Sequence, residues 1–193
     1  MMGQAIRLYF APGACSLADH IALREAGFDP ELVEVDIPTR RTRDGEDFAA
    51  VNPKGYVPAL VLDDGAVLTE NAAILARLAP DGPLGRIRLV EALAFIAAEV
   101  HKPFLRFLFP TGEAEADIAA GLMRTRLDFL ADRLAGAHLF GAEPSVADAY
   151  LYVMARWARQ TPEIGIPAAL ADHAARMEAR PAVREALARE GLT

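Results

Sequence analysis

The chain of 193 residues holds one cysteine, Cys15, in the run Gly13-Ala14-Cys15-Ser16-Leu17. An alternating apolar pattern ends just before it and a helical one begins just after. At such a strand-to-helix turn, unpaired N–H groups and the positive end of the helix dipole favour a thiolate. A small, buried, inert side chain is the commonest fate of a free cysteine, and the residues alone leave both readings open. Ser16 is placed either to donate its hydroxyl to a bound thiolate or to cap the helix. The order Cys15-Ser16-Leu17-Ala18 has no second cysteine three residues on, which excludes a dithiol cycle. A lone cysteine equally excludes an internal disulfide framework and any cysteine-built metal site.

Three further places carry polar groups with a chemical use. Pro58 opens the apolar run Pro58-Ala59-Leu60-Val61-Leu62. It reads either as an ordinary trans proline at a strand start or as a cis turn that exposes the Val57 backbone to a peptide-like ligand. Thr69-Glu70-Asn71 sets a carboxylate beside a helix start. Glu70 suits an ammonium there and the helix amides suit a carboxylate, while plain capping by Asn71 is the alternative. Glu99-Val100-His101-Lys102-Pro103 offers an imidazole and an ammonium with no second ligand at metal spacing, so no metal is expected. Ser145-Val146-Ala147-Asp148 is a capping box with Asp in place of Glu, and is assigned to folding. Phosphate-binding glycine loops, a serine-hydrolase elbow and a His-Glu-x-x-His zinc motif are all missing from the sequence.

The elements that position these residues follow from periodicity. Ile6, Leu8 and Phe10 predict a strand, Leu17 to Leu23 a helix closed near Gly27, and Leu32 to Val35 a second, parallel strand. The polar run Thr39–Asp47 predicts a loop. Apolar runs on either side of Asp63-Asp64-Gly65 predict a hairpin, and an apolar helix follows over 72–78. Pro80-Asp81-Gly82-Pro83 marks a boundary, with domains at 1–80 and 86–193. Beyond it the spacing predicts only helices, near 84–108, 113–134, 145–159, 167–178 and 181–189, as in a helical bundle. The net charge of −7 lacks the basic field that nucleic acid or an anionic membrane demands. No apolar run approaches the roughly 20 residues of a membrane span. Met1–Arg7 shows no signal peptide, so a cytoplasmic location is expected.

Taken in order, these motifs resemble a known family. Leu8-Tyr9-Phe10-Ala11-Pro12-Gly13-Ala14-Cys15-Ser16-Leu17, Val51-Asn52-Pro53-Lys54-Gly55-Tyr56-Val57-Pro58, Leu68-Thr69-Glu70-Asn71, Glu99-Val100-His101-Lys102 and Ser145-Val146-Ala147-Asp148-Ala149-Tyr150 are similar to the cytosolic glutathione S-transferases, in detail to the bacterial beta class. The resemblance implies an α/β thioredoxin-like N-terminal domain (βαβ-ββα) followed by an all-α helical-bundle domain. It implies that Cys15 sits beside the sulfur of glutathione with Ser16 next to it, and that the Val57 backbone pairs with the cysteinyl part at a cis Pro58. Glu70 and Asn71 would hold the γ-glutamyl end, and Arg40 stands where the family has a lysine contacting glutathione. His101 and Lys102 match residues that the helical domain contributes near the sulfur. The chain departs from the family at Asn71, usually Ser, and at Ala94, often Asn.

The resemblance therefore implies an enzyme that conjugates the glutathione thiolate to small hydrophobic electrophiles, working as a homodimer without metal. Two alternatives use the same residues. One is glutathione-dependent thiol–disulfide exchange through a mixed disulfide at Cys15, and the other is a non-catalytic transferase-like binding module.

Overall fold

Strand β1 (Arg7–Phe10) is the hub of a five-stranded mixed sheet ordered β3-β2-β1-β4-β5. The computed structural model describes residues 6–79 and 83–192; Met1–Ala5 and the Pro80-Asp81-Gly82 part of the expected boundary lie outside the described residues. β1 pairs in parallel with β2 (Glu31–Asp36) across the helix α1 (Leu17–Glu25). On its other side it pairs antiparallel with β4 (Ala59–Val61), and β4 with β5 (Val67–Thr69). The hairpin turn is closed as the Asp-Gly signal predicts. The Ala66 N–H donates to Asp64 Oδ1 at 2.9 Å, and Gly65 takes the left-handed φ of 83° that the turn requires. Helix α2 (Asn71–Leu78) follows.

The period of two in β1 shows directly in the packing. Leu8 and Phe10 bury with Leu23, Leu60 and Ile74 on one face; Tyr9 buries with Val35, Phe48, Val57 and Ala59 on the other. The sheet is thus covered on both faces, whereas the sequence pattern predicts a half-buried strand. The polar run 39–47, expected as loop, contains a two-residue strand, β3 (Arg41–Thr42), antiparallel to the end of β2. So short a strand carries no periodicity of its own; the ladder partner Val35–Asp36 fixes it.

The described chain divides into two compact units, residues 6–79 with 180–192, and residues 83–179. The last helix, α8 (Pro181–Arg189), was expected with the helical domain and instead packs on α1 in the first unit. Its Arg189 binds Asp29, and Arg180 just before it makes a two-pronged ion pair with Glu25 at 2.6 and 2.8 Å.

Apart from an isolated bridge between His138 and Gly141, the regular elements described in the second unit are helices: α3 (Pro83–Phe95), α4 (Lys102–Leu108), α5 (Glu113–Asp132), α6 (Val146–Arg159) and α7 (Ala168–Glu178). The expected continuous helix 84–108 is broken by a π-helical turn over Ile96–His101, where the Lys102 N–H reaches five residues back to Ala97 O. Pro103 supplies the reason. It has no N–H for the Glu99 carbonyl and its ring crowds that oxygen, so the turn before it widens.

Helix α6 runs through the middle of this unit, with every residue from Ala147 to Ala155 buried. Its start is held by Asp148, whose carboxylate accepts four hydrogen bonds. Oδ2 takes the Ser145 N–H (2.8 Å) and hydroxyl (2.7 Å), and Oδ1 takes the Leu139 N–H (2.9 Å) and His173 Nε2 (3.0 Å). Burial alone would raise its pKa, yet the bonds from His173, Leu139 and Ser145 outweigh burial and hold it below the ordinary carboxylate value. A folded-state pKa below the unfolded one adds stability above the unfolded value, and that stability fades as pH falls through the folded one. Asp148→Ala is therefore expected to lose about 2–4 kcal/mol at pH 7. The gap from wild type should narrow below about pH 4; urea unfolding at several pH values checks both.

Candidate active site

The turn from β1 into α1 carries the cysteine, and three side chains hold it. The Ser16 hydroxyl lies 3.4 Å from Ala11 O and 3.3 Å from Ala11 N, closing the turn on itself. Ser16 stands at the N-cap position of α1, but its hydroxyl makes no capping bond, so the capping role is not the one it performs. Gly13, at a left-handed φ of 69°, donates its N–H to Glu190 Oε2 at 3.0 Å. The other oxygen of Glu190 meets His20 Nδ1 at 2.9 Å, with both side chains fully buried. The third tie comes from Asn71, whose amide donates to Cys15 O at 2.7 Å. Asn71 is the first residue of α2 rather than its cap; Glu70 occupies the cap position.

The Val57–Pro58 peptide is cis, and the Cys15 thiol points at Val57 O across 3.7 Å. Cys15 is buried, and its thiol is pushed up to about 12. Burial is the main cause, with the nearby Asp19 carboxyl adding to it and the Ser16 and Cys15 amides working against both. Burial likewise pushes Asp19 well above the carboxylate range. The helix-start field thus acts in the direction the sequence predicts and loses to desolvation. Cys15 in this state is a hydrogen-bond donor, not a thiolate.

Glu70 stands at a φ of 73°, a region that costs a side-chain-bearing residue on the order of 1 kcal/mol. Its carbonyl nevertheless starts α2, accepting from Ala73 N and Ile74 N at 3.0 Å each. Its carboxylate is met by the Lys54 ammonium and by the Tyr56 hydroxyl at 2.9 Å, while Lys54 also reaches Thr69 Oγ1 at 2.8 Å. The ammonium stands 5.8 Å from the centre of the Tyr56 ring. Sequence reasoning passed over Lys54 and Tyr56 as site residues. The available signal was the rarity of lysine in this chain and not spacing, since Lys54 lies in a turn and Gly55 after it takes a left-handed φ of 74°. Arg40, itself at a φ of 56°, packs so closely on Gly55 that a Cβ there would lie 3.0 Å from its side chain.

Cys15, Ser16, Val57, Pro58 and Asn71 are therefore brought together in the first unit, with Arg40 and Glu70 on the neighbouring segments of the same unit. His101 and Lys102 belong to the second. His101 ends the π-helical turn, its Nδ1 is 2.8 Å from the Tyr150 hydroxyl, and its ring lies edge-on to Trp157 at 5.4 Å. Lys102 is exposed at the start of α4.

Sequence profiles for the glutathione S-transferase N-terminal domain and C-terminal domain match residues 14–79 and 120–189. Glutathione S-transferase GstA of Escherichia coli O157:H7 is 39% identical over 97% of this chain and 100% of its own length. The chain belongs to the glutathione S-transferase family. Among solved structures of the family, a beta-class transferase from Sphingomonas chungbukensis is 42% identical, with a TM-score of 0.88 over 97% of this chain and 100% of that one. A sphingomonad glutathione S-transferase complexed with glutathione is 46% identical, with the same TM-score and the same coverage of both chains. The thioredoxin-like sheet and helical second domain that the motifs implied are the architecture observed, and the chain is a transferase of beta-class type. Among the described residues, no helix of this transferase is long and apolar enough to cross a membrane.

The buried thiol gives a direct test. With a pKa of about 12, the alkylation rate of Cys15 should climb about tenfold per pH unit between pH 7 and 9 without levelling. Intact-mass kinetics with iodoacetamide read this at a single site, and a plateau below pH 9 would show a thiolate already formed.

Proposed function

We propose that this transferase binds glutathione on the first unit and conjugates its thiolate to small hydrophobic electrophiles. The observation that carries the reading is the convergence of the Cys15 turn, the cis Val57–Pro58 peptide and the Glu70–Asn71 helix start, in a chain 46% identical to a relative solved with glutathione. The Val57 backbone pairs with the cysteinyl part of the tripeptide, and the Glu70 carboxylate takes the α-ammonium. The amides at the start of α2 take the α-carboxylate, and Arg40 adds a further cation. Glutathione's sulfur lies by Cys15 and Ser16, where donors favour its thiolate. That thiolate attacks the electrophilic carbon, a carbon–sulfur bond forms, and the leaving group departs with its electron pair. Asn71 takes part through its hold on the Cys15 carbonyl, and His101 and Lys102 assist by stabilising charge that develops in the reaction.

Conjugation is favoured over thiol–disulfide exchange because exchange needs a Cys15 thiolate, and burial opposes one. The reading is tested with glutathione and an activated aryl halide. Cys15→Ala is expected to lower kcat/KM by less than about tenfold, whereas Glu70→Gln raises KM for glutathione by about tenfold or more. Lys102→Ala should lower kcat with little change in that KM. Abolition of turnover by Cys15→Ala would instead make Cys15 the nucleophile. The reading includes a homodimer working in the cytoplasm; sedimentation at micromolar concentration should give twice the chain mass, and a monomer would remove that part of it.

A further inference from the structure

The second unit contains a cluster that the glutathione reading leaves unused. His138 lies on the segment before α6, Asp148 in the first turn of α6 and His173 on α7, and all three are buried. One ligand atom from each lies within 4.8 Å of the others. His173 Nε2 is 3.0 Å from Asp148 Oδ1, and His138 Nδ1 is 3.8 Å from the same oxygen. The second separation is too long for a hydrogen bond and suits two atoms that share an ion. A tetrahedral centre with bonds of about 2.0 Å keeps its ligands about 3.3 Å apart, so shifts of under about 1 Å bring these atoms into place.

We propose that His138, Asp148 and His173 form a site for a divalent transition-metal ion of the zinc class, with water as its fourth ligand. Two imidazoles and one carboxylate are a borderline donor set, suited to zinc, cobalt or nickel and poorly suited to calcium or magnesium. The ligands are also held from outside. Asp148 keeps the Ser145 N–H and hydroxyl and the Leu139 N–H when an ion takes the place of the His173 hydrogen. The hydrogen on His173 Nε2 moves to Nδ1 of the same ring. Nδ1 has no hydrogen-bond partner among the described residues, so either tautomer leaves one ring nitrogen without a bond and the exchange loses none beyond the one replaced. Bound there, the ion joins the segment before α6, the start of α6 and α7, adding to the bonds through Asp148 and to that from Arg176 Nε to Ala137 O.

The test uses the full chain with Cys15→Ala, so that no thiol competes, stripped with chelator and titrated with zinc against a chromogenic chelator. The expected result is one ion per chain with a Kd in the micromolar range or tighter, weakened at least about tenfold by His138→Ala and by His173→Gln. A cobalt titration of the same protein with both histidines intact covers the case in which a histidine variant fails to fold. It should give the intense visible bands of a four-coordinate centre. Absence of binding at 100-fold the expected Kd, an affinity unchanged in both histidine variants, or a weak six-coordinate cobalt spectrum would each overturn the proposal. None of these readouts depends on glutathione, so the site and the proposed activity stand or fall separately.

Discussion

A buried carboxylate needs partners, and Glu190 finds them in the turn that carries the cysteine. One oxygen meets the His20 ring and the other the Gly13 N–H, with the side chain wholly removed from water. Removing one partner from such a group leaves a buried charge uncompensated, which costs far more than the pair contributes. The geometry downstream depends on that arrangement. Gly13 keeps its left-handed conformation, Ser16 closes the turn on Ala11, and the Cys15 carbonyl faces the Asn71 amide. Asn71 in turn fixes where α2 begins, and with it the position of Glu70.

The chemistry of Cys15 turns on a competition between two fields. A helix start offers partial positive charge worth at most about 2 kcal/mol in favourable, partly buried geometry. Burial removes the thiolate from water, and a neighbouring Asp19 adds to the penalty. The larger effect wins, and the sulfur is left as a donor to Val57 O. The protein's own sulfur stays neutral, and the Ser16 hydroxyl, the Gly13 N–H and the Asn71 amide around it are spent on holding the turn.

Much of the architecture is written in short-range pattern. The alternation of Leu8 and Phe10, the helical spacing from Leu17 to Leu23, the Asp64-Gly65 turn and the Ser145–Asp148 capping box each predict the element that is found. What escaped depends on contacts distant in sequence. Burial of Tyr9 requires Phe48 on the far face of the sheet, and the strand Arg41–Thr42 exists only as a partner of Val35–Asp36. Glu70 meets Lys54 and Tyr56 across a hairpin, which no spacing within either segment reveals. The π-helical turn is different. Pro103 stood in plain view inside the expected helix, and its missing N–H was signal enough for a break in the regular ladder.

The first unit is discontinuous, and this bears on how the protein is made. Its sheet and its Cys15 turn come early in the chain, while Glu190 and α8, which complete it, come after the whole second unit. At ribosomal speeds the stretch 80–179 takes roughly 5–20 s to synthesise. During that interval the nascent first unit has His20 and Gly13 in place without the carboxylate that joins them. The chain therefore emerges with its helical unit able to assemble before its sheet unit can be closed, and the last-made residues complete the environment of one of the first.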